Sequence, residues 1–361
     1  MENAILSNQT YFDDVTQLIG NTPLLKLNNM FKEQEVFAKL EYYNPTFSIK
    51  DRAAFYMVKK AIEKKQVQKG HTIIAATSGN TGLGLCLASN YFGLNYLCVT
   101  FDSVPNEKIS LLKAFGATVV ICDSEAESDE EGGYVWVAEK LNEKIENSYL
   151  IDQFTDINNP LVHYMDTGHE IWRQMNGEID YYFSTIGTGG TITGVGRYLK
   201  KMNPNIKVIG VEPEGGIYRK VFKNQKYNFD THLINSISDC FISPNTDFEV
   251  IDDIIGVSDN ASFNMCYRAL QNESLCIGTS SGCVLRGIEE YINKYDIGKN
   301  KRIVTIFPDM GLKYINTLYD LDFLESNNIN IDKSKKDDNL KKYITQDFAK
   351  YKVKVAEEKW D

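Results

Sequence analysis

Short apolar runs rich in β-branched residues alternate with helical patterns over most of the chain. Strands separated by helices pair in parallel, because the connection must cross over the sheet, and helices then cover the faces of such sheets. The sequence therefore predicts an α/β fold of mostly parallel sheets flanked by helices. The predicted strands are Glu35 to Leu40, Thr72 to Ala76, Tyr96 to Phe101, Thr118 to Cys122, Tyr181 to Ile186, Lys207 to Val211 and Arg302 to Phe307.

Three helical patterns in the sequence each begin directly after a turn. Apolar residues between positions 54 and 62 recur at spacings of three and four, which predicts a helix that starts just after Lys50. A second helix is expected from Asn80 to Gly93, and a third from Thr191 to a point before Pro204. Lys50 should therefore lie near the N-terminus of a helix.

Length and composition exclude several classes of protein. A chain of 361 residues is long enough for two domains, since domains typically run to about 100–200 residues. The net charge of -10 argues against a nucleic-acid binder and against a basic membrane anchor. No run of about 18 apolar residues is present, so we expect a cytoplasmic protein without a membrane partner. The seven cysteines form no C-x-x-C and the four histidines show no ligand spacing, so no metal site is expected.

One glycine-rich turn is a candidate phosphate site. Gly187-Thr188-Gly189-Gly190-Thr191 follows the predicted strand that ends at Ile186 and opens a helix. Glycines let the backbone approach a ligand closely, and free N–H groups at a helix start bind anions. The spacing matches neither G-x-G-x-x-G nor a nucleotide triphosphate loop, which disfavours a nucleotide-binding protein. A tight strand-to-helix turn that needs glycine for structural reasons remains the alternative.

A second turn at a strand-to-helix junction is a candidate carboxylate site. In Thr77-Ser78-Gly79-Asn80-Thr81-Gly82, hydroxyl and amide side chains stand beside two glycines. Backbone and side-chain donors in such a turn can hold a carboxylate. Helix capping alone is the alternative, because Ser, Thr and Asn are favoured at N-caps.

Lys50 is a candidate functional residue because several polar and glycine-rich turns accompany it in the sequence. An isolated lysine in a turn is ordinarily a solvated surface charge. This one precedes both anion-binding turns and a late turn, Gly278-Thr279-Ser280-Ser281-Gly282. With the segment Ile19-Gly20-Asn21-Thr22-Pro23-Leu24, the motifs number five and occur in a fixed order. From about Val15 to Tyr319 the chain resembles the fold-type II pyridoxal phosphate enzymes, in the branch of the cysteine synthases and cystathionine β-synthases.

The resemblance implies a role for each motif. Lys50 would carry pyridoxal 5'-phosphate as a Schiff base and move protons, and Asn80 would bond the cofactor's 3-hydroxyl. The turn from Gly187 to Thr191 would hold the phosphate, and Ser280 would bond the pyridine nitrogen. The substrate carboxylate would be held by Thr77, Ser78, Thr81 and Gln153. A serine is a neutral partner of the ring nitrogen, so the ring becomes a weaker electron sink and loss of the β-substituent is favoured.

Two domains with the cofactor in the cleft between them are expected, each a mostly parallel sheet flanked by helices. The smaller domain would comprise residues 45–155, with the lysine and the carboxylate turn. The larger would comprise residues 1–44 and 156–322, with the phosphate turn and Ser280. Residues 323–361 would form a charged, solvated C-terminal appendage, and the chain is expected to form a homodimer.

One segment departs from the family pattern. Cysteine synthases usually carry a stretch close to H-K-I-Q-G-I-G-A-G-F at the mouth of the active site, and here it is His232-Leu233-Ile234-Asn235-Ser236-Ile237-Ser238-Asp239-Cys240-Phe241. A carboxylate in this wall would repel bisulfide and could accept a proton from water. A surface position for Asp239, pointing to solvent, remains the alternative.

These observations predict an enzyme of sulfur amino-acid metabolism that works through an aminoacrylate. The preferred reaction converts L-cysteine and water to L-serine and hydrogen sulfide, with Lys50 and Asp239 as catalytic residues. An O-acetylserine sulfhydrylase, or a cystathionine β-synthase-type enzyme that adds a thiol, is the alternative within the family. A catalytically silent binding subunit is the alternative of another class, and retention of Lys50 weighs against it.

Overall fold

The computed structural model describes residues 11 to 332 of the chain. Its strands are β1 (Leu24–Lys26), β2 (Glu35–Leu40), β3 (Thr72–Ala76), β4 (Asn95–Phe101), β5 (Thr118–Cys122), β6 (Ser148–Leu150), β7 (Tyr181–Thr185), β8 (Lys207–Pro213), β9 (Asp253–Val257) and β10 (Arg302–Phe307). Its α-helices are α1 (Lys50–Glu63), α2 (Asn80–Phe92), α3 (Asn106–Ala114), α4 (Tyr134–Lys144), α5 (Asn158–Val162), α6 (Gly168–Gln174), α7 (Gly190–Met202), α8 (Tyr218–Phe222), α9 (Asp259–Glu273), α10 (Thr279–Tyr295) and α11 (Leu321–Ser326).

The strands form two sheets. One has six strands in the order β1-β2-β10-β7-β8-β9, and the other has four in the order β5-β4-β3-β6. Between residues 11 and 332, all strand pairs are parallel except β1 with β2, which are antiparallel. The predicted α/β class, with two mostly parallel sheets flanked by helices, is confirmed. The predicted domain boundaries stay predictions, although the four-stranded sheet takes its strands from residues 72–150 and the six-stranded sheet from 24–40 and 181–307.

The helices cover the sheets through the faces that their apolar spacing provides. Helix α1 buries Ala54, Met57, Val58 and Ala61 against helix α2 and the four-stranded sheet. Helix α10 buries Leu285 and Ile288 in the core beneath the six-stranded sheet. The first turns of α1 and α10, which contain Lys50 and Ser280, are therefore anchored by buried helices.

Three strands were not predicted, and one predicted segment differs. Strands β1 and β6 have only three residues each, too few to show a periodicity, and β9 contains Gly256 and starts with an aspartate. The predicted solvated appendage is wrong at Leu324 and Ile329, which are buried in the core of the larger sheet. Residues 333–361 of that appendage lie outside the described residues.

Candidate active site

A cavity lies where the ends of several strands and the starts of several helices meet. Such crevices at the carboxyl ends of parallel strands are the usual ligand sites of α/β sheets. It brings together seven of the residues predicted from the sequence, which are Lys50, Asn80, Gly187, Thr188, Gly189, Thr191 and Ser280. The other lining residues are Ile49, Ser184, Thr185, Ile192, Ser236, Ile237, Ile306, Pro308 and Asp309.

Lys50 is the first residue of α1 and lines this cavity. Backbone contacts hold its turn against the end of β10: the Ile49 N–H donates to the Pro308 carbonyl at 2.8 Å, and Ser48 forms a β-bridge with Asp309. Burial of the amine lowers the pKa of Lys50, and the negative charges of Asp309 and Asp239 oppose that shift. Deprotonation of the Lys50 amine is therefore easier than deprotonation of a solvated lysine.

The turn from Gly187 to Thr191 leads from β7 into α7. The N-cap of α7 is Gly189, with no side-chain cap, so the first N–H groups of this helix are free of intrahelical acceptors. Gly189 has a φ of +76°, and a Cβ there would lie 2.2 Å from Thr246 Oγ1. Glycine is thus needed structurally, as the alternative held, and the same turn also contributes Gly187, Thr188, Gly189 and Thr191 to the lining of the cavity.

The residues predicted to hold the substrate carboxylate, Thr77, Ser78, Thr81 and Gln153, are not among the residues that line this cavity. The Thr81 hydroxyl donates to Gln153 Oε1 at 2.5 Å, so these two side chains are brought together. Thr77 is buried and Ser78 is half-buried. Capping alone does not explain this turn, because the N-cap of α2 is Gly79 and no side chain caps the helix.

Ser280 is buried in the first turn of α10 and lines the cavity. The helix dipole at this N-terminus disfavours a positive charge nearby. The hydroxyl of Ser280 is a neutral hydrogen-bonding group on this wall.

Sequence reasoning missed the group of side chains around Asn80. The amide nitrogen of Asn80 donates to Asp309 Oδ2 at 2.7 Å, and Lys313 Nζ donates to Asn80 Oδ1 at 2.6 Å. The Tyr314 hydroxyl also donates to Asp309 Oδ2, at 2.5 Å. An aspartate two residues after a predicted buried strand was the available signal, because the carboxyl ends of parallel strands meet at one edge.

The divergent segment from 232 to 241 forms part of the wall, with Ser236 and Ile237 lining the cavity. Ser236 and Ser238 have φ angles of 66° and 55°. This is the left-handed region that favours glycine, and the resembled family has glycine at both positions. The Ser238 N–H donates to the Ile186 carbonyl at 2.8 Å, which ties the segment to the start of the phosphate turn.

Asp239 follows this wall and is solvent-exposed as a residue. It is not one of the cavity-lining residues, which leaves the predicted position at the mouth untested. Its carboxyl group nevertheless lies among protein atoms that raise its pKa by burial, while the positive charges of His232 and Lys50 lower it. The carboxylate is thus within electrostatic reach of Lys50 and still accessible to water.

Two other features bear on the class of site. Between residues 11 and 332, no three histidine, cysteine, aspartate or glutamate side chains gather in a way that could hold a metal ion. In the same range, no helix combines the length and the apolar character that crossing a bilayer requires.

Comparison with known proteins gives concordant matches. A family model described as pyridoxal-phosphate dependent enzyme matches residues 15–309. Cystathionine beta-synthase of Apis mellifera is 40% identical over 306 residues, which are 84% of this chain and 60% of that protein. The O-acetylserine dependent cystathionine beta-synthase of Bacillus subtilis is 36% identical over 308 residues, 85% of this chain and 97% of that protein.

A solved structure matches as well. The crystal structure of O-ureido-L-serine synthase has a TM-score of 0.80 and 27% identity, covering 86% of this chain and 96% of that chain. The chain spans less than two thirds of the length of the Apis mellifera protein, and nearly the whole length of the Bacillus subtilis protein.

Proposed function

The chain belongs to the family of pyridoxal-phosphate dependent enzymes, and from this premise we propose that it exchanges the β-substituent of a cysteine-like amino acid. The family and the cofactor predicted from the sequence are thereby confirmed. One observation carries the proposal: the enclosed amine of Lys50 and the open N-terminus of α7 share a single cavity. A binding subunit has no chemical need for an enclosed lysine at that place.

The residues of the cavity fit the cofactor chemically. The start of α7, with the Thr188 and Thr191 hydroxyls, offers donors for a phosphate monoester. When bound, pyridoxal phosphate supplies an aldehyde that a lysine amine can capture and a ring that withdraws electrons from the α-carbon. Lys50 would provide that amine, and Asn80 would bond the 3-hydroxyl.

Lys50 and Ser280 would divide the remaining work. The lowered pKa of Lys50 suits a group that must lose a proton to act as a base and regain one later. Ser280 would bond the ring nitrogen without contributing a negative charge, so the nitrogen would not be held protonated. We propose that this balance favours departure of the β-substituent over other fates of the α-carbon.

For the specific reaction we propose that water replaces sulfide, so that L-cysteine becomes L-serine and hydrogen sulfide. The supporting features are the divergent wall and the charge of Asp239. A carboxylate with a raised pKa is a better proton acceptor near neutral pH than an ordinary aspartate. Its negative charge would also disfavour the approach of bisulfide, while neutral water is unaffected.

A thiol-adding reaction is the second candidate. It is favoured by the likeness to the O-acetylserine dependent cystathionine beta-synthase of Bacillus subtilis, of which the chain covers 97%. In that case the chain would combine an activated serine with a thiol, and sulfide release would be slow. The proposed reactants are accordingly a small amino acid and either water or a thiol. We also propose that the chain forms a homodimer, and light scattering would measure its mass.

Product analysis separates these candidates. The purified protein is incubated with cysteine alone, with O-acetylserine plus sulfide, and with O-acetylserine plus homocysteine, and serine, sulfide, cysteine and cystathionine are quantified. We expect serine and sulfide in equal amounts from cysteine alone. Much faster formation of cysteine or cystathionine would assign the chain to the second candidate.

Asp239→Asn keeps the size of the side chain and removes its charge. If Asp239 activates the water, serine formation should fall by roughly 100-fold, while cofactor binding stays intact. Asp13→Asn is the matched control, because Asp13 is an exposed aspartate outside the cavity. Unchanged sulfide release in Asp239→Asn would make this residue a bystander.

A further inference from the structure

We propose that Asp309 is a positioning residue of this site, which fixes the orientation of the Asn80 amide and supplies the counter-charge that faces Lys50. The inference rests on the proposed function only for the identity of the group that Asn80 would contact. Everything else in it concerns contacts among side chains of this chain.

The carboxylate of Asp309 is hydrogen-bonded at one oxygen and unpaired at the other. Oδ2 accepts hydrogen bonds from Asn80 Nδ2 and from the Tyr314 hydroxyl. Oδ1 is buried and has no hydrogen-bond partner within residues 11–332. Because Asp309 is only 2% exposed and lines the cavity, this oxygen is a desolvated acceptor that lacks its donor, which is costly unless a ligand or a mobile donor completes it.

Opposite charges hold the two ends of the Asn80 amide. Lys313 Nζ donates to Oδ1 at 2.6 Å and also to the Thr46 carbonyl at 2.8 Å, while Asp309 accepts from Nδ2. Rotation of the amide by half a turn would place its NH₂ group against the Lys313 ammonium and its oxygen against the Asp309 carboxylate. Both hydrogen bonds would become repulsive contacts, so only one orientation is stable.

The consequence concerns what Asn80 can bind. An amide NH₂ group has two hydrogens, and Asp309 takes one of them. Asn80 lines the cavity, so the second hydrogen is the group it can offer there. The site is thereby set to donate to an oxygen that carries negative charge, and it would not accept from a hydroxyl that keeps its proton.

Asp309 also balances positive charge around the cavity. Its negative charge raises the pKa of Lys50, Lys108 and Lys313, against the effect of burial in each case. The backbone contacts of Ser48 and Ile49 with residues 308–309 keep this charge close to the Lys50 turn. Asp239 is the second carboxylate that acts on Lys50. As a residue it is exposed, whereas Asp309 is buried, so Asp309 is the more desolvated and less screened of the two.

The decisive variant is Asp309→Asn, compared with Asn80→Ala and with the double variant. Pyridoxal phosphate affinity is measured by equilibrium dialysis, and the visible absorption of the loaded protein is recorded against pH. We expect Asp309→Asn to weaken binding about 10-fold and to displace the pH at which the absorption changes. If Asp309 acts through Asn80, the affinity loss of the double variant should match that of Asn80→Ala alone.

Losses that multiply in the double variant, or a wild-type affinity and pH profile in Asp309→Asn, would overturn the inference. Asp252→Asn serves as the control, because it breaks an ion pair with Lys200 away from the cavity. Should Asp309→Asn fail to fold, Lys313→Met tests the other end of the same amide, with a weaker affinity and an altered pH profile again expected. A wild-type protein that takes up no cofactor would defeat the proposed function itself, which is a different outcome.

Discussion

Replacement of Gly189 by alanine should lower both the free energy of unfolding and the affinity for pyridoxal phosphate. The geometry separates the backbone contribution to the loss of stability from the contribution of the steric clash. At a φ of +76°, an alanine costs about 1–2 kcal/mol relative to glycine. The added Cβ would also lie 2.2 Å from Thr246 Oγ1 and 2.8 Å from the Thr246 backbone nitrogen, and such overpacking costs about 1–3 kcal/mol. We therefore expect the free energy of unfolding to fall by about 2–5 kcal/mol.

Two other glycines separate the contributions. Gly70 has a φ of +86°, and a Cβ added there would meet no atom within 4 Å, so Gly70→Ala carries the backbone cost alone. Gly298 has no such neighbour either and no left-handed φ, so Gly298→Ala should leave stability nearly unchanged. Urea titration of the three variants gives the free energies of unfolding, and dialysis gives their affinities for pyridoxal phosphate.

Only Gly189→Ala should lose cofactor affinity, because the clash with Thr246 displaces the start of α7. A loss of about 1.4 kcal/mol from these contacts corresponds to about 10-fold weaker binding. The reasoning is refuted if Gly189→Ala is no less stable than Gly70→Ala, or if its cofactor affinity equals that of the wild type.

Three further outcomes are expected. Lys50→Ala should fold but show neither the yellow colour of the loaded wild type nor turnover, as absorbance and product assays will tell. Ser236→Gly should raise the free energy of unfolding by up to about 1 kcal/mol in urea titrations, because it relieves a left-handed φ of 66°. Burial alone would raise the pKa of Glu170, but the positive charges and hydrogen bonds of Arg52 and Lys39 lower this pKa from its usual 4.5 to about 2. The stability that Glu170 contributes is therefore present above about pH 4.5 and lost as the pH falls toward 2, so Glu170→Gln should flatten the stability profile in that range.

Local chemistry made part of the site predictable from the sequence. The glycine turn after Ile186 and the helix that starts at Lys50 depend on residues adjacent in the chain, and their spacing indicates their structure. The pairing of Asn80 with Asp309 joins residues 229 positions apart, and no spacing rule connects them. Their contact brings the end of β3 in one sheet against the end of β10 in the other, which only the folded chain defines.

Side-chain direction was the other unpredictable quantity. The resemblance singled out the segment from 232 to 241, and Ser236 and Ile237 of that segment line the cavity. Asp239 comes two residues after Ile237 and is outside that lining. Left-handed φ angles at Ser236 and Ser238 break the regular alternation of side chains, so counting along the segment could not decide where the carboxylate points.

The order of strands in the larger sheet has a consequence for synthesis on the ribosome. Its last strand in the chain, β10, pairs with β2 on one side and with β7 on the other, so the centre of the sheet is translated last. Until residue 307 has emerged, β2 and β7 each present an unpaired edge, the kind of surface that invites association with other chains. All strands of the smaller sheet, by contrast, are available once residue 150 has been made. A nascent chain stalled before Arg302 would therefore hold a complete small sheet and a larger one split through its middle.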